Sequence, residues 1–413
     1  MLDWLSADGK LLLVTRALRT FAYGYLGVVL ALYLEALGLD AVGIGLVITL
    51  AIAGSAAMTI LWSLLADRVG RRRTVGVMAL LMAAGGLLFA LATGAGWLAL
   101  GALSGTISAT SSEVGAFITV EQAILPQTAP DSRRTFLFAL YNAIGNLAGA
   151  VGAIAAGLVP LFVALGLRGA DAYRPLFVVY ALVGLLNLAL FLRLSDQVEV
   201  ARIEGAKRLT AMGPSRGRIA RLALLFGVDA FAGGFVATSI VSYWFHLRFG
   251  LGAGELAPIF FAANALSGLS FFAASWVARR VGLLNTMVFT HLPSNLLLML
   301  VPLMPSASAA ILTYLARTSI SQMDVPTRQS YTMAVVDPSE RTAAAGITNV
   351  ARSVATAISP SLAGYALAVA ATGLPFYIGG ALKIVYDLAL FTAFRGVRPP
   401  EERGYRGERE DRE

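Results

Sequence analysis

The chain has no cysteine among its 413 residues, only two histidines, and little charge, with Asp, Glu, Lys and Arg making up 14%. Without cysteine there is no disulfide framework, no thiolate metal site and no argument about redox compartment. Two histidines without paired ligand spacing give no zinc-type set, so no metal is expected. The shortage of charge excludes more. A soluble domain carries about 25% charged residues, and a soluble chain of this length needs a charged surface for two or three domains. These residues cannot cover one. A soluble enzyme, a nucleic-acid module and a disordered scaffold are thereby excluded. No Gly-x-x-x-x-Gly-Lys-Ser/Thr loop is present, which excludes ATP-driven transport by this chain. No cofactor is expected, and no nucleophile–base constellation suggests an enzyme.

Apolar sequence takes the place of charge: 57% of the residues are AVILMFWYC, and mean hydropathy is +0.74. One membrane span needs about 20 apolar residues. Apolar stretches fall at 11–37, 41–66, 74–93, 97–125, 135–166, 173–194, 219–247, 253–278, 284–304, 307–336, 342–371 and 375–394. Each is long enough for a tilted transmembrane helix. Lipid offers no partner to backbone N–H and C=O groups, so a span must be a helix or part of a closed barrel. Runs such as Leu46 to Trp62 do not alternate as barrel strands do. The expected fold is an all-α membrane protein with twelve transmembrane helices. Asp3 and Asp8 precede the first run and only Lys10 is basic there, which reads as a retained first span rather than a cleaved signal.

The net charge of +8 is a question of placement. With the N-terminus in the cytoplasm, 23 of the 32 Lys and Arg fall in cytoplasmic segments. They include Arg68, Arg71–Arg73, Arg133, Arg134, Arg279, Arg280 and the basic residues of the middle loop and tail. Only Arg168, Arg174 and Arg248 fall on the opposite side. This positive-inside bias predicts both termini in the cytoplasm and removes the nucleic-acid reading. The polar stretch 195–218 divides the chain into six-helix halves at 1–194 and 219–395, and 396–413 reads as a disordered cytoplasmic tail.

The two halves repeat each other. Ser63–Gly70 aligns with Ser275–Gly282 at an offset of 212; Arg134-Thr135 with Asn142 aligns with Arg341-Thr342 with Asn349 at 207; Leu188–Phe191 aligns with Leu388–Phe391 at 200. Three matches in one order imply two bundles related by a pseudo-twofold axis along the membrane normal, with a site between them.

Ser63-Leu-Leu-Ala-Asp67-Arg68-Val-Gly70-Arg71-Arg72-Arg73 resembles motif A of the major facilitator superfamily, with Ser in place of the first Gly. The resemblance implies twelve helices in two pseudo-symmetric six-helix bundles. It also implies that Asp67, with Arg68 and Arg71, latches the cytoplasmic ends of the halves. Proton-coupled drug exporters of the family carry an Arg in the middle of helix 4. Here Gly101–Glu113 contains no basic residue.

Ionisable groups inside the spans are the functional candidates, because each costs at least about 2.5 kcal/mol at mid-membrane unless paired or hydrated. They are Arg16 and Arg19 in helix 1, Glu113 and Glu121 in helix 4, Asp229 in helix 7, Arg317, Asp324 and Arg328 in helix 10, Arg352 in helix 11, and Lys383 and Asp387 in helix 12. At 100° per residue Arg317, Asp324 and Arg328 share one helix face, with Pro326 placed to bend it. The resemblance makes that face cavity-lining; the alternative is an internal ion pair. Glu113 and Asp229 are candidate proton sites. Glu121 is expected to face Arg328 or Arg352 of the other half and help close the inner gate. Asn142 and Asn349 are gating candidates, or else helix–helix hydrogen-bonders. Arg16 and Arg19 either bind an anion or reach the headgroups. Lys383 and Asp387 are expected to pair with each other, and His291 to be a packing residue.

These features predict a monomeric secondary active transporter in the cytoplasmic (inner or plasma) membrane. It would move a small solute by alternating access, as proton-coupled efflux, and the excess of in-span arginines suits an anionic one. Import or exchange of an organic anion is the alternative. A non-transporting sensor would need a larger cytoplasmic segment than the central loop or tail provides.

Overall fold

A computed structural model describes residues 4–111, 116–130, 134–199, 215–337, 340–369 and 373–397. Among these residues all regular structure is helical. Nine helices are long and apolar enough to cross a membrane: Ala7–Ala36, Ala41–Ser63, Arg71–Ala90, Leu140–Ala164, Arg174–Phe191, Arg216–Phe249, Ala253–Val281, Leu283–Leu303 and Leu374–Phe394. The other three stretches read from the sequence are helical too, but broken or charged. The fourth span is α4 (Ala95–Leu103) followed by α5 (Ala116–Ile124), and the tenth is α13 (Ala307–Ser321) followed by α14 (Asp324–Val335). The eleventh is α15 (Arg341–Val369), which carries Arg341 and Arg352.

The remaining helices are α1 (Ala7–Ala36), α2 (Ala41–Val69), α3 (Arg71–Ala90), α6 (Arg134–Ala155), α7 (Val159–Ala164) and α8 (Arg174–Phe191). The second half adds α9 (Arg216–Gly234), α10 (Thr238–Phe249), α11 (Ala253–Val281), α12 (Leu283–Leu300) and α16 (Leu374–Phe394). Side chains start several of them. Ser6 accepts from Gly9 N at 3.1 Å and Asp40 accepts from Gly43 N at 2.8 Å, which satisfies amides that no helical carbonyl reaches. The repeat is visible in the backbone between α2 and α3 and between α11 and α12. Gly70 sits at φ +104° and Gly282, its equivalent at the offset of 212, at φ +89°. A side chain is strained at such angles, so glycine recurs at both turns.

By contacts the chain forms two compact units. The first holds 1–205, 236–265 and 360–372; the second holds 206–235, 266–359 and 373–413. In the first, α1 is buried along most of its length and packs on α6 through small residues. A Cβ on Gly24 would strike the Gly149 carbonyl, and one on Gly152 the Phe21 carbonyl. Small residues let helix backbones approach this closely.

Within the first unit α10 is tied to α1 and to the break in the fourth span. Ser239 Oγ donates to Gly27 O at 2.9 Å, Ser242 Oγ to Val28 O at 2.7 Å, and Thr238 Oγ1 to Thr110 O at 3.0 Å. His246 Nε2 lies 3.0 Å from a Glu35 carboxylate oxygen, and Tyr243 OH donates to Glu35 at 3.4 Å. These bonds also explain how residues 104–111 stay unwound. Irregular backbone at membrane depth is tolerated only where protein groups satisfy it. Here Ala109 O accepts from Ser239 N at 3.0 Å and Thr106 O from Tyr180 OH at 2.5 Å.

The second unit is built on Ile219, Leu222 and Phe226 of α9, Met287 and Val288 of α12, Tyr331 and Val335 of α14, and Tyr386 and Leu390 of α16. Its helix break falls at Gln322–Met323. Pro326 lacks the N–H that would bond to the Gln322 carbonyl, so the helix cannot run through without loss.

Gly152→Ala is expected to cost about 1–3 kcal/mol by forcing α1 and α6 apart. Gly96→Ala, where an added Cβ meets nothing within 4 Å, should leave the melting midpoint unchanged or slightly raised. Thermal denaturation of the purified full chain checks both.

Candidate functional site

The charges predicted to lie within the spans form two networks, one in each unit. In the first, Arg19 of α1 and Glu121 of α5 pair at 2.7 Å with both side chains fully buried. Tyr141 OH of α6 donates to the same Glu121 oxygen at 2.6 Å, and Thr15 Oγ1 to the other at 3.4 Å. The Arg19 guanidinium lies over the Phe117 ring at 4.3 Å. Arg16 Nε donates to Tyr141 O at 2.9 Å, and its guanidinium sits 3.8 Å from the centroid of the Tyr141 ring. Gly145 makes that possible, since a Cβ there would come within 2.7 Å of Arg16 Nε.

In the second unit Asp229 of α9 is a shared acceptor. Lys383 Nζ of α16 donates to Oδ1 at 2.5 Å. Arg328 of α14 and Arg352 of α15 donate to Oδ2 at 3.1 and 2.9 Å. Arg328 also donates to Asp324, four residues earlier, at 2.7 Å. Asp387 is held separately, with His291 Nδ1 at 2.8 Å from one oxygen and Asn295 Nδ2 at 2.9 Å from the other.

The repeat relates the two networks. Arg19 and Asp229 stand 210 apart, and Glu121 and Arg328 stand 207 apart, within the range of the repeat offsets. Each half ties its first helix to its fourth with an ion pair, with the signs exchanged. Pairing compensates charges that lipid would not tolerate singly. Removing one partner leaves an uncompensated buried charge, which is costlier than removing both.

Several expectations are corrected here. Glu121 has a partner in its own unit rather than the expected Arg328 or Arg352. Its partner is Arg19, and both of those arginines bind Asp229. Arg16 and Arg19 do not reach headgroups, being 6% and 0% exposed. Lys383 and Asp387 do not pair, because Asp229 takes the first and His291 with Asn295 the second. His291 is a buried acid partner rather than packing alone. The charged stripe of the tenth span is interrupted, with Asp324 and Arg328 on α14 and Arg317 on α13. Asn142 and Asn349 are exposed and, among the described residues, bond to no neighbouring helix. Glu113 lies outside the described residues, as does the side chain of Asp67.

Around motif A, Arg68 is exposed. Arg71 is buried, and its Nη1 donates to Ala123 O at 3.0 Å. Glu199 accepts from the amides of Arg71 at 2.8 Å and Arg72 at 3.1 Å, capping α3 where the Gly70 turn leaves its N–H groups free. Nothing in the sequence spacing pointed to Glu199, 128 residues from Arg71.

A sequence model of the Major Facilitator Superfamily matches residues 12–321. An uncharacterized membrane protein of Saccharomyces cerevisiae is 27% identical over 425 residues, covering 95% of each chain. The structure is similar to that of the nucleoside transporter NupG, with TM-score 0.74 and 12% identity, over 94% of this chain and 99% of that one. It is also similar to a D-xylose-proton symporter, with TM-score 0.72 and 16% identity, over 93% of this chain and 98% of that one. At these identities the structural likenesses establish the fold.

Arg19→Gln and Glu121→Gln should each lower stability by about 3–5 kcal/mol. The double variant Arg19→Met, Glu121→Leu should cost clearly less than their sum. Additive losses in melts of the three proteins would show that the pair is not coupled.

Proposed function

The chain belongs to the Major Facilitator Superfamily, and we propose that it is a secondary active transporter that moves a small solute by alternating access. The favoured mode is proton-coupled efflux by a monomer in the cytoplasmic membrane, with both termini in the cytoplasm. The halves 1–194 and 219–395 act as the two moving bundles.

The observation that carries the reading is the Asp229 network. Its members sit near the middle of four helices, the depth at which transporters place substrate and coupling ions. One carboxylate holds Arg328, Arg352 and Lys383 together. Any event that withdraws or neutralises it releases at once the ion pairs that tie α14, α15 and α16 to α9. A two-state transporter needs such a switch, because a ligand moves an equilibrium only through contacts that differ between the states. The broken fourth, seventh and tenth spans support the same reading, since discontinuous helices at membrane depth accompany binding sites. Asp67, Arg68 and Arg71 are proposed to latch the cytoplasmic ends, with Asn142 and Asn349 on gating faces. Glu121 supports its own half through Arg19. Glu113 and Asp229 are the proposed coupling carboxylates.

Counterflow in proteoliposomes, with and without an imposed pH gradient, tests this. Saturable exchange that responds to the gradient is expected, and it should fall at least tenfold in Glu113→Gln and Asp229→Asn proteins that remain monodisperse. Exchange indifferent to the gradient removes proton coupling. Unchanged exchange in both variants removes those carboxylates from the coupling role. Absence of exchange for every solute favours the sensor reading.

A further inference from the structure

Charge in the central parts of the second half's spans does not balance. The cations are Arg317, Arg328, Arg352 and Lys383; the carboxylates are Asp229, Asp324 and Asp387. Five of the six oxygens of these carboxylates have other partners. Asp229 Oδ1 receives Lys383, its Oδ2 receives Arg328 and Arg352, Asp324 receives Arg328, and Asp387 receives His291 and Asn295. Among the described residues no carboxylate lies within 4.0 Å of Arg317, and its buried Nε has no hydrogen-bond partner.

One turn further along α13, Ser321 is 3% exposed and its Oγ is likewise without a partner. Residues four apart share a helix face, so two buried, unpartnered atoms, Arg317 Nε and Ser321 Oγ, lie on one side of α13, the arginine as a whole being half-buried. Immediately beyond them the backbone leaves the helix at Gln322–Met323. An arginine near mid-span that Asp229 and Asp324 reach only from beyond ion-pair distance is costly, and an unmet buried donor adds to that. The arrangement leaves bonding capacity that an anion would use.

We propose that Arg317 and Ser321 form the anchoring site for the carboxylate of a transported small organic monoanion. The guanidinium edge carrying Nε presents two parallel donors, which match the two oxygens of a carboxylate, and Ser321 Oγ adds a third. A single negative charge brings the four cations and three carboxylates to neutrality, and a dianion overshoots it. The placement near mid-span separates this site from lipid headgroups. The inference deepens the transporter reading and rests on it.

The test uses the purified full chain in lipid-free detergent, with sodium benzoate and hexanoate as probes, benzamide and hexanamide as their uncharged matches, and inorganic phosphate as a dianion control. Melting midpoints are read at constant ionic strength. At least one acid is expected to stabilise the wild type saturably while its amide does not. Arg317→Gln should weaken that response about tenfold to a hundredfold, the loss expected for a charge-assisted bond. Arg317→Lys should fall between the two. Without ligand, Arg317→Gln should melt at or above the wild-type midpoint, whereas Arg328→Gln should melt well below it. The proposal is overturned if Arg317→Gln destabilises as Arg328→Gln does, which would reveal a permanent partner in the chain. It is also overturned if acid and amide act alike, if phosphate acts more strongly than either acid, if no acid acts, or if the acid response survives Arg317→Gln. Counterflow of the same acids separates the two readings. Binding that needs Arg317 without counterflow keeps the anion site and removes transport. Counterflow indifferent to Arg317 keeps transport and removes the anion site.

Discussion

Asp229 is a single carboxylate shared by three cations on three other helices. In water such sharing would be worth little, because solvent competes for every charge. Near the middle of a membrane span there is no competitor, and each of the four groups alone would be costly. Each is tolerated because the others are present, which makes α9, α14, α15 and α16 interdependent at one point. The local backbone fits this need. The break before Asp324 starts α14 afresh, and Asp324 then steadies Arg328 from within the same helix while Arg328 reaches across to α9.

Neutral groups in the first unit answer the same constraint. The fourth span unwinds at 104–111, and its carbonyls are met by Tyr180, Thr238 and Ser239. Short hydroxyl side chains suit the task because they deliver a donor without separating the helices. Ser111 takes φ +56°, an angle non-glycine residues seldom adopt, and its Oγ donates to the Gly24 carbonyl at 3.3 Å. Unwound, strained backbone held in this way is characteristic of functional sites rather than of packing alone.

The fold was legible in the sequence because lipid imposes a simple rule on it. Twenty apolar residues in succession have few other uses, and among the described residues each of the twelve stretches read this way is built of helix, interrupted in three of them. The repeat was legible as well, down to the paired turns at Gly70 and Gly282. Helix breaks were harder to see, since hydropathy is blind to an interruption. Pro326 marked the break in the tenth span, and nothing read from the sequence marked those in the fourth and seventh. Partner choice was not legible. The offset of 207 brings Glu121 and Arg328 together on paper, but residues equivalent under a repeat occupy the same place in different halves. Each therefore meets the first helix of its own half. Spacing of four residues on a helix suggested Lys383 with Asp387, yet the spacing only permits a pair. Three-dimensional competition from Asp229 for one partner, and from His291 and Asn295 for the other, decides it.

The exchange of signs between the halves bears on how a duplicated architecture acquires direction. Two copies of one packing with identical charges would present the same chemistry twice. Here the first-to-fourth helix tie is a cation on α1 with an anion on α5 in one half, and an anion on α9 with a cation on α14 in the other. The first tie is well supplied: Glu121 takes Arg19, Tyr141 and Thr15, and Arg16 meets a carbonyl and a ring. The second tie is open-ended, because Asp229 has gathered more cations than an ion pair needs, while Arg317 has no ion pair among the described residues. A well-supplied pair fixes a helix packing and has little reason to respond to solute. A network in surplus of one charge changes its bonding when an anion arrives or a carboxylate is lost. On that argument the Arg19–Glu121 tie fixes packing within its own unit, and the ion pairs around Asp229 are the ones a change of charge would rearrange.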